Sequence, residues 1–144
     1  MATTALQQIA DGGTFTLSTA IHSLAANAQA SIGKIDVGNP APFSIVVDVP
    51  ISNTGLTVSS AGNVEIKVGF STGTAGTFPD TNNLIYVGTI VAGSAQQARG
   101  TIEIPVMDRG VEIWVLNKTQ TGLASSYNGA AVAITWRSKT IAQV

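Results

Sequence analysis

Four segments of this chain alternate apolar and polar residues with a period of two. Residues 63–70 put Val64, Ile66, Val68 and Phe70 on one side and Glu65, Lys67 and Gly69 on the other. Residues 100–106 set Ile102, Ile104 and Val106 against Thr101, Glu103 and Pro105. Residues 110–117 set Val111, Ile113 and Val115 against Glu112, Trp114 and Leu116, and residues 130–137 set Val132, Ile134 and Trp136 against Ala131, Ala133 and Thr135. Successive side chains of a strand point to opposite faces, so each run gathers its apolar residues on one face only when it is extended. The pattern predicts strands.

Further strands are expected at 14–19, 31–37, 43–49 and 84–91. The last is apolar on both sides, as a central or interface strand would be. Pro105 has no N–H to give to a ladder and is expected at an edge or a bulge. Segments 53–55, 71–83, 108–110 and 119–129 are rich in Gly, Asn, Ser or Pro and read as connections. About eight strands at this spacing predict an all-β fold: one antiparallel β-sandwich or jelly-roll-like domain over residues 13–144. Residues 1–12 are expected as an extended N-terminal arm in which Leu6 and Ile9 would anchor. Ile21, Leu24, Ala25 and Ala28 fall at helical spacing, but in this all-β setting residues 20–30 are expected as strand or irregular chain.

At 144 residues, one domain can bury enough surface to fold without metal or disulfide, and there is no cysteine to form one. Charged residues make up 10% of the chain, with seven basic and eight acidic, where a soluble domain has roughly 25%. With 44% hydrophobic residues the chain is no disordered tail. Seven scattered basic residues cannot displace counterions along a nucleic acid, so no nucleic-acid partner is expected. No apolar run approaches the ~20 residues of a membrane span, and residues 1–13 lack the basic start of a secretory signal, so synthesis in a cytoplasm is expected. Asn117-Lys118-Thr119 matches a glycosylation sequon that this expectation leaves unused.

The chemistry-bearing residues do not assemble into a catalytic pattern. His22 is the sole imidazole, and no Gly-x-Ser-x-Gly elbow accompanies it. Glu65, Glu103 and Glu112 occupy polar positions of alternating strands, where a carboxylate meets water. Asp80-Thr81-Asn82-Asn83 has the start of a calcium loop without its glycine or its closing glutamate, and a turn closed by side-chain hydrogen bonds explains it. Gly73-Thr74-Ala75-Gly76 is not followed by the Lys-Ser/Thr of a phosphate loop. The expectation is a non-enzyme without cofactors or metal. Trp136 shares a face with Val132 and Ile134 and is expected in the core. Trp114 and Leu116 lie on the opposite face from Val111, Ile113 and Val115; with Leu84, Tyr86 and Ile90 of the doubly apolar strand they form the candidate interface.

Residues 84–136 carry a resemblance. Leu84-Ile85-Tyr86-Val87-Gly88-Thr89-Ile90 is followed by a polar spacer and a strand. Arg109-Gly110-Val111-Glu112-Ile113-Trp114-Val115-Leu116-Asn117-Lys118-Thr119 and Thr121-Gly122-Leu123-Ala124-Ser125-Ser126 come next. This resembles small β-sandwich structural proteins of tailed bacteriophages, in which a V-x-N-x-T-G-x-x-L-x-S type segment leads to the last strand. Asn117 and Thr119 match that segment, and Gln120 is an extra residue before Thr121-Gly122. The resemblance implies a virion component on the capsid surface. The expected role is a decoration (cement) protein bound to the major capsid protein or other virion proteins, as a homo-oligomer with a trimer favoured. A head–tail or tail adaptor, a fibre-attachment protein, or a carbohydrate- or receptor-binding sandwich using Tyr127 or Phe78 are the alternatives. On that implication the low charge acquires a reason, since close repeated contacts penalise buried charges.

Overall fold

A computed structural model describes residues 5–16, 18–21, 23–50, 63–91, 99–118, 123 and 133–143. Among them are eight strands: β1 (Ala5–Thr16), β2 (Gln29–Asp36), β3 (Ser44–Pro50), β4 (Asn63–Ser71), β5 (Ile85–Val91), β6 (Arg99–Pro105), β7 (Gly110–Asn117) and β8 (Ala133–Gln143). Two single 3-10 turns, Thr19–Ile21 and Thr81–Asn83, complete the regular structure. The strands form two four-stranded antiparallel sheets, ordered β1-β8-β3-β6 and β2-β7-β4-β5. The pairing is nested: β1 pairs with β8, β2 with β7, β3 with β6 and β4 with β5. The all-β sandwich expected from alternation is the fold.

The alternating runs supply its interior. Ile45, Val47, Val49, Ile102, Ile104 and Ile134 of the first sheet meet Val64, Ile66, Val68, Val111, Ile113 and Val115 of the second, all in one buried cluster. Trp136 packs against that cluster, as expected. β-Branched side chains suit this setting because their stiff χ1 rotamers lose little freedom on a pleated, packed surface. Pro105 ends β6, an edge strand, where its missing N–H costs no ladder bond.

The two open sides of the sandwich are closed by side chains seated on glycines. Between edge strands β5 and β6 the seating is reciprocal. A Cβ on Gly100 would lie 2.6 Å from Ile90 Cγ1, and one on Gly88 would lie 2.9 Å from Ile102 Cδ1. On the other side Phe15 of β1 occupies the space above Gly33 of β2, 2.5 Å from where a Cβ would stand. Within the first sheet, Trp136 lies over Gly12 at the point where β1 slips register between Asp11 and Gly13.

Five expectations need correction. Of the expected arm at residues 1–12, residues 5–12 belong to the domain: from Ala5 onward they form β1, paired with β8 along its whole length. β8 runs six residues past the expected end at 137, to Gln143, and offers β1 a free edge to pair with. β1 in turn ends at Thr16, short of the expected 19. Strand β5 is not central; it is the outer strand of its sheet, bonded to β4 alone. The turn at Asp80 is closed by its backbone (Asn83 N–H to Asp80 C=O, 2.8 Å), with no side-chain cap.

Of residues 20–30, Ala20 and Ile21 close the first 3-10 turn, 23–28 are irregular and β2 begins at Gln29, within the expectation of strand or irregular chain. Buried Asn117 holds them to the sandwich. Its backbone N–H donates to Ala28 C=O, its C=O accepts from Asn27 N–H, and its side-chain amide donates to Leu24 C=O at 2.9 Å. Leu123 N–H donates to the same Leu24 carbonyl, and Ile21 and Leu24 are thereby buried at one end of the core. Two residues of the 117–126 segment, Asn117 and Leu123, thus serve to fasten a loop. His22 and most of residues 119–131 lie outside the described residues.

The reciprocal seats yield a stability prediction. Gly88→Ala and Gly100→Ala should each destabilise the fold by about 1–3 kcal/mol, because a methyl there must displace a core isoleucine. Gly73→Ala meets open space and should change stability by under about 0.5 kcal/mol. Pairing Gly88→Ala with Ile102→Val should recover part of the loss in urea denaturation, revealing the coupling.

Candidate functional site

The register assembles one surface from the sequence-predicted residues. On the outer face of the second sheet, Tyr86 of β5 lies opposite Lys67 of β4, Lys67 opposite Trp114 of β7, and Trp114 opposite Ser31 of β2. The next row is Thr89, Glu65, Leu116 and Gln29. Tyr86, Trp114 and Leu116 therefore share a face across three strands. Tyr86 is 56% exposed and its hydroxyl is 2.6 Å from Thr89 Oγ1, while Trp114 and Leu116 are half-buried. Leu84, just ahead of β5, lies with Pro79 over Gly69 on the same face.

Ile90 does not belong to it. It is 4% exposed and fills the seat above Gly100. An extra residue in β5, Val87, shifts the register between the pairs Ile66–Gly88 and Lys67–Tyr86. That slip turns Gly88 and Ile90 inward and Tyr86 outward, against strict alternation. Of the two expected anchors, Ile9 is 58% exposed on β1; Leu6 pairs with Ala142, and its side chain lies outside the described residues.

Trp114 carries an anomaly. Its indole N–H is covered yet has no acceptor among the described residues, and an orphaned buried donor costs about 1–3 kcal/mol. Its neighbour Glu112 departs from expectation as well. Expected in water, it is buried, with Lys34 Nζ 3.9 Å from its Oε1. The same ammonium stands 4.8 Å from the centre of the Phe78 ring, so the 72–80 connection is tied back onto this sheet. Phe78, a candidate for sugar stacking, thus has its ring against a cation of its own chain. Tyr127 lies outside the described residues.

Around the edge, where β5 and β6 meet, two adjoining hollows of about 540 and 350 Å³ open to the surface. Both are lined by Phe70, Ile85 and Met107. Asp108 borders the first, and Glu103 and Pro105 border the second. Met107 is 73% exposed. Alternation did not identify this groove, because its walls come from strand ends and a turn. The signal present in the sequence was a methionine in the 106–109 turn, where polar residues are usual.

Two ion pairs frame the surface. Arg109 grips Asp36 with both ends of its guanidinium, Nε to Oδ1 at 3.1 Å and Nη2 to Oδ2 at 2.7 Å. The hydrogen bonds from Arg109, and then the Gly38 N–H, hold the Asp36 carboxyl below its ordinary range, while Asp36 raises the guanidinium. Glu103, also expected simply to meet water, accepts from Lys139 Nζ at 3.0 Å and Ser44 Oγ at 2.8 Å across three strands, and is lowered by those two bonds in that order. No protein-family model matches the chain, and a search of curated proteins returns no match.

Two predictions follow from these contacts. Trp114→Phe, which removes the orphan donor and keeps most of the ring, should leave stability within about 1 kcal/mol of the parent. Trp114→Ala should cost about 1–3 kcal/mol in lost burial, both measured by chemical denaturation. Because Asp36 and Glu103 have lower pKa values folded than unfolded, their contribution is complete above the ordinary carboxylate range. It is lost as pH falls through the folded values. Glu103→Gln and Asp36→Asn should each make the acid limb of the stability–pH curve shallower, more visibly at low salt.

Proposed function

We propose that this chain is a structural virion protein that decorates the outer capsid shell of a tailed bacteriophage and stabilises it. The observation that carries the reading is the outer sheet face on which Tyr86, Trp114 and Leu116 converge, pointing away from a core already complete without them. Large aromatic side chains set on a rigid sheet are what a binding surface needs, since little conformational freedom remains to be lost on association. The nested pairing of eight strands supports reading the sandwich as a jelly roll, an architecture that viral capsid and lectin domains use repeatedly. Together with the resemblance of residues 84–136, these features favour a role in assembly, with the major capsid protein or another virion protein as partner.

Such a protein acts through binding energy. A ligand at a thousandfold excess over its Kd stabilises the form it binds by about 4 kcal/mol per site. Multivalent engagement raises avidity by orders of magnitude without any new contact. The protein is made in the host cytoplasm and resides on the particle, and a closed homo-oligomer, a trimer foremost, gives it several contacts at once.

Shells of the encoding phage that lack this chain provide the test. Added protein should co-sediment with expanded shells saturably and raise their melting temperature. The Tyr86→Ala/Trp114→Ala variant, checked for its β-sheet spectrum, should bind at least about tenfold more weakly. Absence of shell binding by the parent protein would remove the decoration reading, and labelling confined to tails would move the protein to a tail adaptor.

A further inference from the structure

We infer that this chain associates head to tail with copies of itself, the β1·β8 ribbon of one copy seating in the Phe70–Ile85–Met107 groove of the next. The inference does not depend on the capsid reading. It rests on two features that the fold places at one end of the sandwich and on opposite edges.

The first feature is the ribbon. β3 accompanies β8 only as far as the Ser44–Lys139 pair, whereas β1 and β8 continue together through four further pairs to Ala5–Gln143. At about 3.3 Å per residue, some 13 Å of two-stranded ribbon projects past its neighbour. A free two-stranded ribbon is marginally stable in water. This one nevertheless carries Ile9 and Ile141, 58% and 63% exposed, on one face. Gln7 lies opposite Ile141 and Ile9 opposite Lys139, so the two isoleucines are diagonal neighbours on the outer side of the first sheet.

The second feature is the groove. It lies at the same end, because Pro105 pairs with Ser44 and Ser44 with Lys139, which puts the end of β6 level with the base of the ribbon. It lies on the far edge, because β8 and β3 separate β1 from β6. The β1 edge of the ribbon stands three strand spacings, about 14 Å, from β6, and among the described residues only Lys139 at its base reaches back, to Glu103. A second copy has no such distance to span. A patch on one edge that fits a recess on the opposite edge makes a heterologous contact, which closes into a ring when the rotation allows.

Chemistry agrees on both sides. The groove is apolar through Phe70, Ile85 and Met107, and its charged lining groups are both acidic, Glu103 and Asp108. Glu103 is already neutralised by Lys139, and the Asp108 carboxylate accepts only the backbone N–H of Arg109 among the described residues. On the outer face beside the ribbon, Lys139 is taken up by Glu103, and Arg137 stands exposed below it, opposite Asp11. An apolar ridge meets an apolar recess, and Arg137 beside the one matches Asp108 at the rim of the other.

The chain contains no cysteine, which makes the test clean. Sedimentation equilibrium should find the parent protein as a closed oligomer. Ile141→Glu (ribbon) and Met107→Glu (groove) alter exposed side chains and should keep the sheet spectrum. Each should weaken association by about tenfold or more and shift the mass toward the monomer. Mixed together, the two variants should form a one-to-one dimer and nothing larger, because one intact ribbon still finds one intact groove. The Ile141→Cys/Met107→Cys double variant should oxidise to a covalent ring, while either single cysteine stays uncrosslinked. A monomeric parent at millimolar concentration, either glutamate variant with the parent's mass, or efficient dimerisation through Cys at 141 alone would overturn the inference.

Discussion

Everything outward-facing on this molecule depends on how its two sheets close on each other. Ile90 sits over Gly100 and Ile102 over Gly88, so the edge strands β5 and β6 each supply both a side chain and the space for the other's. Sandwiches must seal the gap between their sheets along two sides, where no ladder bond crosses. Here the seal is steric and apolar, with Phe15 over Gly33 doing the same work on the opposite side. Protein interiors are packed like crystals, so this interlock fixes the register of β5 and β6 to within a fraction of a residue. The position of Tyr86, Ile85 and Pro105 on the surface follows from it.

That dependence explains the surface. Once Ile90 and Gly88 are committed inward, the extra residue Val87 lets Tyr86 face outward beside Lys67. The same strand then contributes Ile85 to the groove at the edge. One apolar run thus serves three environments: core, outer face and rim. Exposed apolar side chains such as Ile9, Ile85, Met107 and Ile141 are not forced by shortage of interior space, because β-branched residues elsewhere already fill it. Six of the fifteen charged residues are committed to ion pairs as well. Arg109 holds Asp36, Lys139 holds Glu103, and Lys34 spans Glu112 and Phe78, so the ion pairs staple strand ends and a connection. What is left for partners is apolar surface with a modest charge bias, which suits self-association and assembly better than recognition of a highly charged ligand.

The fold class, the strand positions and the inward residues of β4, β6 and β7 were legible in the amino-acid order because the two-residue period leaves no other arrangement that buries them. Trp114 and Leu116 were legible as outward candidates for the same reason, whereas Tyr86 faces outward only through the bulge at Val87. Other features required the tertiary structure, and the reason is physical in each case. Alternation cannot reveal a bulge, so Ile90 was expected on an interface and is in the core. It cannot reveal which strand lies beside which, so residues 5–12 were expected as an arm until β8 proved long enough to pair with them. Nor can it reveal a groove walled by Phe70, Ile85 and Met107, whose members are distant along the chain and meet only because the sheets stack. Local periodicity determines which way a side chain points; contact across the fold decides what it meets there.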